Sequence, residues 1–307
     1  MKGLMITGDY SQFMKEFEMA KTLFSSQGLD VDFVDYNDIE VVAMDRFDGH
    51  VRIRGEMVDC PDFVFIMTTE ERDTYQLKAV LRMFETLGVP CINTYDAVEK
   101  AGDKLYSFQI AKQAVPELRI PDTMLVGENT TIDSIEERIG FPLVMKVMHG
   151  YQGRGVCLVE DRDGLKSILD MLTAAPFGDQ VLVQRAIPSS KGRDLRVVVG
   201  AGELVYAFVR HNDKDFKSNL HQGGYIEPYQ PPQELIDQSI RLADAFGLKT
   251  GSIDYLFGEE EGEFYLCEVN SVPGISYVFK AQKEGDEELV RRFFSMPRKI
   301  LHREGLI

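Results

Sequence analysis

Two short apolar runs, Gly251-Ser-Ile-Asp-Tyr-Leu-Phe257 and Tyr265-Leu-Cys-Glu-Val-Asn270, flank the acidic, glycine-bounded stretch Gly258-Glu-Glu-Glu-Gly262. Apolar runs of this length on either side of a polar, glycine-containing turn read as paired strands. Strand side chains alternate between faces, so residues two apart point the same way. Glu268 and Asn270 therefore come to one face, and pairing brings Asp254 beside them. Carboxylate and amide oxygens gathered in this way are hard ligands suited to Mg²⁺. Taken alone, the stretch also reads as a solvated hairpin with its polar residues facing out.

The chain has 307 residues, with 44% hydrophobic and 27% charged content, which is enough for two or three compact units with their own cores. Its apolar runs fall short of a membrane span, and Asp9 interrupts the apolar start, which reads as a first strand rather than a signal peptide. A cytoplasmic location with no membrane partner is the expectation. The formal charge of −16 argues against binding a nucleic-acid backbone. The four cysteines sit in separate apolar runs with no CxxC pair, as buried free thiols do.

Residues 1–95 alternate strand and helix. Strands are expected at 4–7, 31–34, 63–67 and 89–92, helices at 13–27 and 70–87, and a small hairpin arm at 50–58. This is a βαβ series, which implies a parallel sheet. Residues 96–185 read as two short helices, then strands at 123–126, 142–147, 156–160 and 181–184 with helices at 132–139 and 162–172. Residues 186–307 read as paired strands 195–199 and 204–210, a long polar loop 212–226, a helix 233–246, the 251–269 hairpin and a charged helix over 284–302.

The loop Gly150-Tyr-Gln-Gly153-Arg-Gly155 joins two strands, so it is neither a dinucleotide-binding turn nor a P-loop, and the chain contains no Gly-Lys-Ser/Thr. A glycine-rich flap with free N–H groups can still close over phosphates, with Lys146 reaching them from the preceding strand. Asp194 and Arg196 share a face at the start of a strand, where a carboxylate can hold a ribose hydroxyl and an arginine can clamp a carboxylate or phosphate. Arg210 closes the neighbouring strand. Lys217, Asn219 and His221 fill the long loop, and loops of that length inside compact units are often functional. His221 is a candidate general base.

These pieces fall into one order: Asp103-Lys104, Lys146, the flap, Gln184, Asp194 with Arg196, Arg210, Lys217-Ser-Asn219, Asp254, and Glu268-Val-Asn-Ser-Val-Pro-Gly274. The set resembles the ATP-grasp superfamily, most closely the RimK-like carboxylate–amine ligases that add glutamate to a protein or small molecule. The resemblance covers about residues 95–280; the first 95 fit a pre-ATP-grasp βαβ domain. It implies an α/β (α+β) ATP-grasp fold with units 1–95, 96–185 and 186–307.

The resemblance further implies ATP and Mg²⁺ or Mn²⁺ as cofactors, with a carboxylate substrate and an amine acceptor (amino acid, peptide or protein tail) as partners. Lys104 and Lys146 would contact the phosphates, and Gln152, Gly153 and Gly155 would cover them. Gln184, Arg185, Ala186 and Ile187 match the hinge where backbone groups read adenine, with Asp194 near the ribose. Relatives carry an acid and then a bulky residue after the glutamine; Arg185-Ala186 departs from this. Lys217 and Asn219 would reach the nucleotide or acyl phosphate, Arg196 and Arg210 the acyl phosphate and substrate carboxylate, and Asp254, Glu268 and Asn270 the metal. A homo-oligomer is implied by the family alone. Alternatives on the same fold are a D-alanine-D-alanine-type ligase and a nucleotide-binding regulatory protein without ligase activity.

Overall fold

The structure, a computed structural model, describes residues 1–8, 13–43, 49–67, 74–148, 155–174, 180–214, 216–218 and 224–307. The chain begins with β1 (Lys2–Thr7), α1 (Met14–Ser25), β2 (Asp30–Asp35), β3 (His50–Ile53), β4 (Glu56–Asp59), β5 (Phe63–Ile66), α2 (Tyr75–Thr86) and β6 (Cys91–Ile92). The apolar runs of β1 and β5 are buried on both faces, as strands of a covered parallel sheet are. The sheet order is β2-β1-β5-β6, all parallel. Arg54 and Gly55 both have positive φ, the backbone that a two-residue turn needs to close the β3–β4 hairpin.

Next come α3 (Tyr95–Gly102), α4 (Lys104–Ala114), β7 (Thr123–Val126), α5 (Ile132–Arg138), β8 (Leu143–Val147), β9 (Val156–Val159), α6 (Arg162–Ala174) and β10 (Val181–Arg185). The four strands form an antiparallel sheet in the order β7-β10-β8-β9. Its own small core joins Leu143, Met145, Val181 and Val183 to Ile135 of α5 and Leu165 of α6. Helices α3 and α4 do not share this core. Ala97, Phe108 and Ala111 pack instead under the following sheet.

That third sheet is built from β11 (Arg193–Gly200), β12 (Glu203–His211), β13 (Tyr225–Pro228), and, after α7 (Gln233–Phe246), β14 (Thr250–Phe257) and β15 (Phe264–Asn270). The order β13-β12-β11-β14-β15 is antiparallel throughout. Alternation sorts its residues by face. Leu195, Val197, Val199, Ile253 and Tyr255 join α4 and α7. On the opposite face Val198, Tyr206 and Phe208 lie under α8 (Ser276–Glu284) and α9 (Glu287–Arg303), in a core shared with Met5, Phe17 and Phe24 of the first sheet's layer. Among the described residues no helix is long and apolar enough to cross a membrane.

Three expectations need correction. The C-terminal helix expected over 284–302 starts later, as α9 at Glu287, where the Asp286 side chain caps it by accepting from the Leu289 N–H at 3.0 Å; an unexpected helix, α8, precedes it and ends at Gly285, φ 84°. The loop 212–226 ends early, since β13 adds to the sheet as an edge strand beside β12. The helix expected over 70–87 is described from Tyr75 onward, capped by Thr74; residues 70–73 lie outside the described set.

Candidate functional site

The expected hairpin sets Asp254 directly opposite Glu268, with Asn270 two residues further and opposite Ser252. The face of β14 that does not meet α7 therefore carries Asp254, and its neighbour β11 presents Arg196 opposite it. One strand further, Arg210 of β12 lies opposite Asp194 of β11. Four charged side chains thus line one face of three adjacent strands, all of them buried or nearly so.

They are joined in an alternating chain. Asp254, only 1% exposed, accepts from Arg196 Nε at 2.8 Å and Nη2 at 2.7 Å, a two-pronged pair. Arg210 Nη2 donates to Asp254 Oδ2 at 2.6 Å. The same guanidinium grips Asp194 through Nε at 2.7 Å and Nη2 at 2.5 Å. Burial pushes the Asp254 carboxyl upward, but the two guanidiniums outweigh it and hold the group below the usual carboxylate range, so it stays ionised. Both oxygens of Asp194 are engaged by Arg210.

The register slips between Asp254 and Tyr255, whose partner is Leu266, so Cys267 is the extra residue of a β-bulge. Burial pushes the Cys267 thiol up to about 12, opposed by the Lys146 charge and reinforced by the charges of Glu268, Asp194 and Asp254. Lys146, on β8 of the middle sheet, is thus near enough for its charge to bear on Cys267 of the third sheet. A second influence of this kind joins the two units: burial raises the Cys157 thiol on β9, and the Lys217 charge opposes it. Lys104 is placed by Asp103, which starts α4 by accepting from the Tyr106 N–H at 2.8 Å. Its ammonium donates to the Met148 carbonyl at 2.8 Å, at the entry to the flap.

Gly155 closes the flap at φ 72°, and a Cβ there would fall 2.3 Å from Val147 Cγ2. Gln152, Gly153, Asn219 and His221 lie outside the described residues. At the hinge, Gln184 is buried and donates to Thr123 Oγ1 at 2.8 Å. The Arg185 side chain turns outward to Asp122, with Nε to Oδ2 at 3.0 Å. The N–H groups of Arg185 and Ala186 already donate to the carbonyls of Asp122 and Pro142, at 2.9 and 3.1 Å. Ile187 follows them directly, before the short turn at 188–190.

The donor set suits a hard divalent cation. Asp254 and Glu268 are carboxylates in facing positions, and three of about four acceptor sites on Asp254 are used, which leaves one on Oδ1. Asn270 is buried and its Nδ2 has no hydrogen-bond partner, nor has the facing Ser252 Oγ. A buried amide held without a nitrogen partner is one whose oxygen is the useful end. A cavity of about 850 Å³ lies elsewhere, lined by Val41, Met57, Tyr75, Lys78 and Tyr95; no member of the charged chain lines it.

Residues 101–291 match the family described as the RimK-like ATP-grasp domain. The chain belongs to the RimK-like ATP-grasp family. A probable alpha-L-glutamate ligase of Rhodopirellula baltica is 33% identical over 213 residues, 68% of this chain and 51% of that protein. A ribosomal protein bS6–L-glutamate ligase of Escherichia fergusonii is 34% identical over 210 residues, 67% of this chain and 68% of that protein. The chain thus spans between about half and two thirds of these relatives. A RimK domain ATP-grasp protein from Sphaerobacter thermophilus superposes with a TM-score of 0.69 over 96% of this chain and 99% of that one, at 18% identity, which supports the ATP-grasp fold. In this RimK-like chain the matched region includes the sheet with the charged chain, the middle sheet and the hinge. Sequence reasoning missed one buried group at its edge, Asn93, whose side chain bonds to the ends of both hairpin strands.

Proposed function

We propose that this chain is an ATP-dependent carboxylate–amine ligase that forms an amide through an acyl phosphate. The observation that carries the reading is the facing pair Asp254–Glu268 with Asn270 beside it, backed by two guanidiniums and near the Lys146 charge. That inventory neutralises negative charge gathered on phosphate oxygens, which is what phosphoryl transfer needs. The names of the relatives agree with it.

The reaction has two steps. A substrate carboxylate oxygen attacks the γ-phosphorus of ATP, the bond to the β–γ bridging oxygen breaks, and ADP leaves. An amine nitrogen then attacks the acyl carbon of the resulting acyl phosphate; the C–O bond breaks, phosphate leaves and the nitrogen loses a proton. Mg²⁺ held by Asp254, Glu268 and Asn270 would supply charge neutralisation at the phosphates. Arg196 and Arg210 are fixed by carboxylates, so they present charge without reorganising. Asp194 serves this reading by orienting Arg210. Lys104 and Lys146 approach the phosphates from the middle-sheet side and Lys217 from the loop after β12, and the hinge 184–187 holds adenine through backbone groups other than the engaged N–H groups of Arg185 and Ala186. The three sheets support units 1–95, 96–185 and 186–307, with α3 and α4 lent to the third. Glutamate or another amino acid joined to a protein tail, peptide or small molecule is the substrate class, by likeness to the relatives.

The test is a screen of Mg-ATP with paired acids and amines, reading ADP, phosphate and the amide mass. ADP and amide appearing only when both acceptors are present is the expected result. A phosphorylated acid without amide, or nucleotide binding without turnover across the panel, would overturn it.

A further inference from the structure

We propose that Asn93 is a positioning residue that sets the spacing of the two strands bearing Asp254, Glu268 and Asn270, and through it the cation affinity of the site. This rests on the metal reading above. Asn93 directly follows β6 and is 0% exposed. Its Nδ2 donates to the Thr250 carbonyl at 2.7 Å and to the Ser271 carbonyl at 2.6 Å. Its Oδ1 accepts from the N–H of Lys249 at 2.7 Å and of Thr250 at 3.3 Å. Two donors and two acceptor sites are the whole capacity of a side-chain amide, and all are used.

The location gives these bonds their meaning. The β14–β15 ladder ends at the pair Ser252–Asn270. Beyond that rung, Thr250 at the start of β14 and Ser271 just after β15 are bridged by the Asn93 amide, which stands in for a further rung. Gly251 lies between, and a Cβ there would fall 2.5 Å from the Asn270 carbonyl oxygen, so the two backbones are close at this end. Ser271 is one residue from Asn270, a Cα step of about 3.8 Å, so any slip at Ser271 passes straight to the ligand.

Only asparagine meets the geometry. Aspartate would set a buried carboxylate against two carbonyl oxygens, and glutamine would move both donors by a methylene. Groups behind metal ligands change affinity by roughly 10–100-fold when altered.

The experiment titrates Mn²⁺ alone by electron paramagnetic resonance, alongside a thermal melt, in wild type, Asn93→Asp, Asn93→Gln, Glu268→Gln and Ile135→Ala. Ile135 lies in the separate core of the middle sheet and serves as a stability control. Expected are a Mn²⁺ affinity loss of roughly 10–100-fold in the Asn93 variants and none in Ile135→Ala at a comparable loss of melting temperature. If Asn93→Asp does not fold, Asn93→Gln and Asn93→Ser carry the measurement. Asn93 variants that track Ile135→Ala overturn the proposal alone. Wild-type Mn²⁺ binding that survives Glu268→Gln overturns the site reading, and the proposal falls with it.

Discussion

The third sheet and the middle sheet are built to opposite standards. The third sheet has a core on each face: Leu195, Val197 and Tyr255 against α4 and α7, Val198, Tyr206 and Phe208 against α8 and α9. Every residue of β11 after Arg193 is buried. The middle sheet has one core, under α5 and α6, and its strands β7 and β9 are mostly half-buried. The first sheet supports β11–β15 through shared aromatic packing, such as the edge contact of Phe24 with Phe294 at 5.5 Å. The middle sheet's core contains none of its residues. Acid and guanidinium groups sit on the doubly packed sheet; Lys146 sits on the singly packed one. On the proposed function, charges that must keep a fixed relation are on the more restrained element, and the lysine that meets the nucleotide is on the element with fewer restraints.

The largest effect should follow from breaking the platform. Asp254→Ala leaves two buried guanidiniums short of a partner, and removing one member of a buried charge network costs about 3–5 kcal/mol. Urea denaturation should show that loss together with loss of turnover; a change under about 1 kcal/mol would mean that the network is not holding the sheet. The pH dependence has a definite sign. Because the folded carboxyl of Asp254 is held low, its contribution is present above the unfolded value near 4 and is lost as pH falls below it. Asp254→Ala should therefore show a shallower acid limb than wild type.

Next in size is Glu268→Gln, which keeps shape and removes a charge. ADP release should fall by at least about a hundredfold, with the urea midpoint unmoved. Unchanged turnover would remove Glu268 from the site. The contrast with Asp254→Ala separates a residue that builds the platform from one that only works on it.

These features were unequally legible in the sequence. The hairpin was readable because glycines bound an acidic turn between two alternating apolar runs, and both its partners lie within one short stretch. The shared face of Asp194 and Arg196 was readable for the same reason. The pairing of Asp194 with Arg210 was not, since it depends on which strands become neighbours. α8 was hidden because Pro273-Gly274 reads as a stop and the helix is short, with its end at Gly285 merging into the charged run that follows. β13 ends on Pro228 and is an edge strand, so only its ladder to β12 marks it. Asn93 carried no signal in the sequence, because the groups it bonds are 156 or more residues away.

On the middle sheet, Lys146→Met should act on nucleotide and spare the fold. KM for ATP should rise roughly tenfold, as for loss of one charge-assisted phosphate contact, while stability stays within about 0.5 kcal/mol, as for a substitution outside a core. A stability loss comparable to that of Asp254→Ala would erase the distinction between the sheets.

The smallest effect probes whether the two sheets feel each other at all. Cys267 sits in the platform's bulge with its thiol raised to about 12. At pH 8 its thiolate fraction is therefore far below that of an ordinary cysteine. Iodoacetamide should therefore label Cys267 far more slowly in the folded chain than in urea, as read by peptide mass. Lys146 opposes the rise, so Lys146→Met removes a charge that favours the thiolate. The thiol pKa then climbs further and labelling at fixed pH slows again, although methionine blocks the approach no more than lysine does. An unchanged rate would mean that the middle sheet stands too far from the platform for Lys146 to act. A faster rate would mean that Lys146 shields Cys267 by bulk rather than by charge. Slower labelling, with the same sign at every pH below about 12, is the outcome that ties the two sheets into one site.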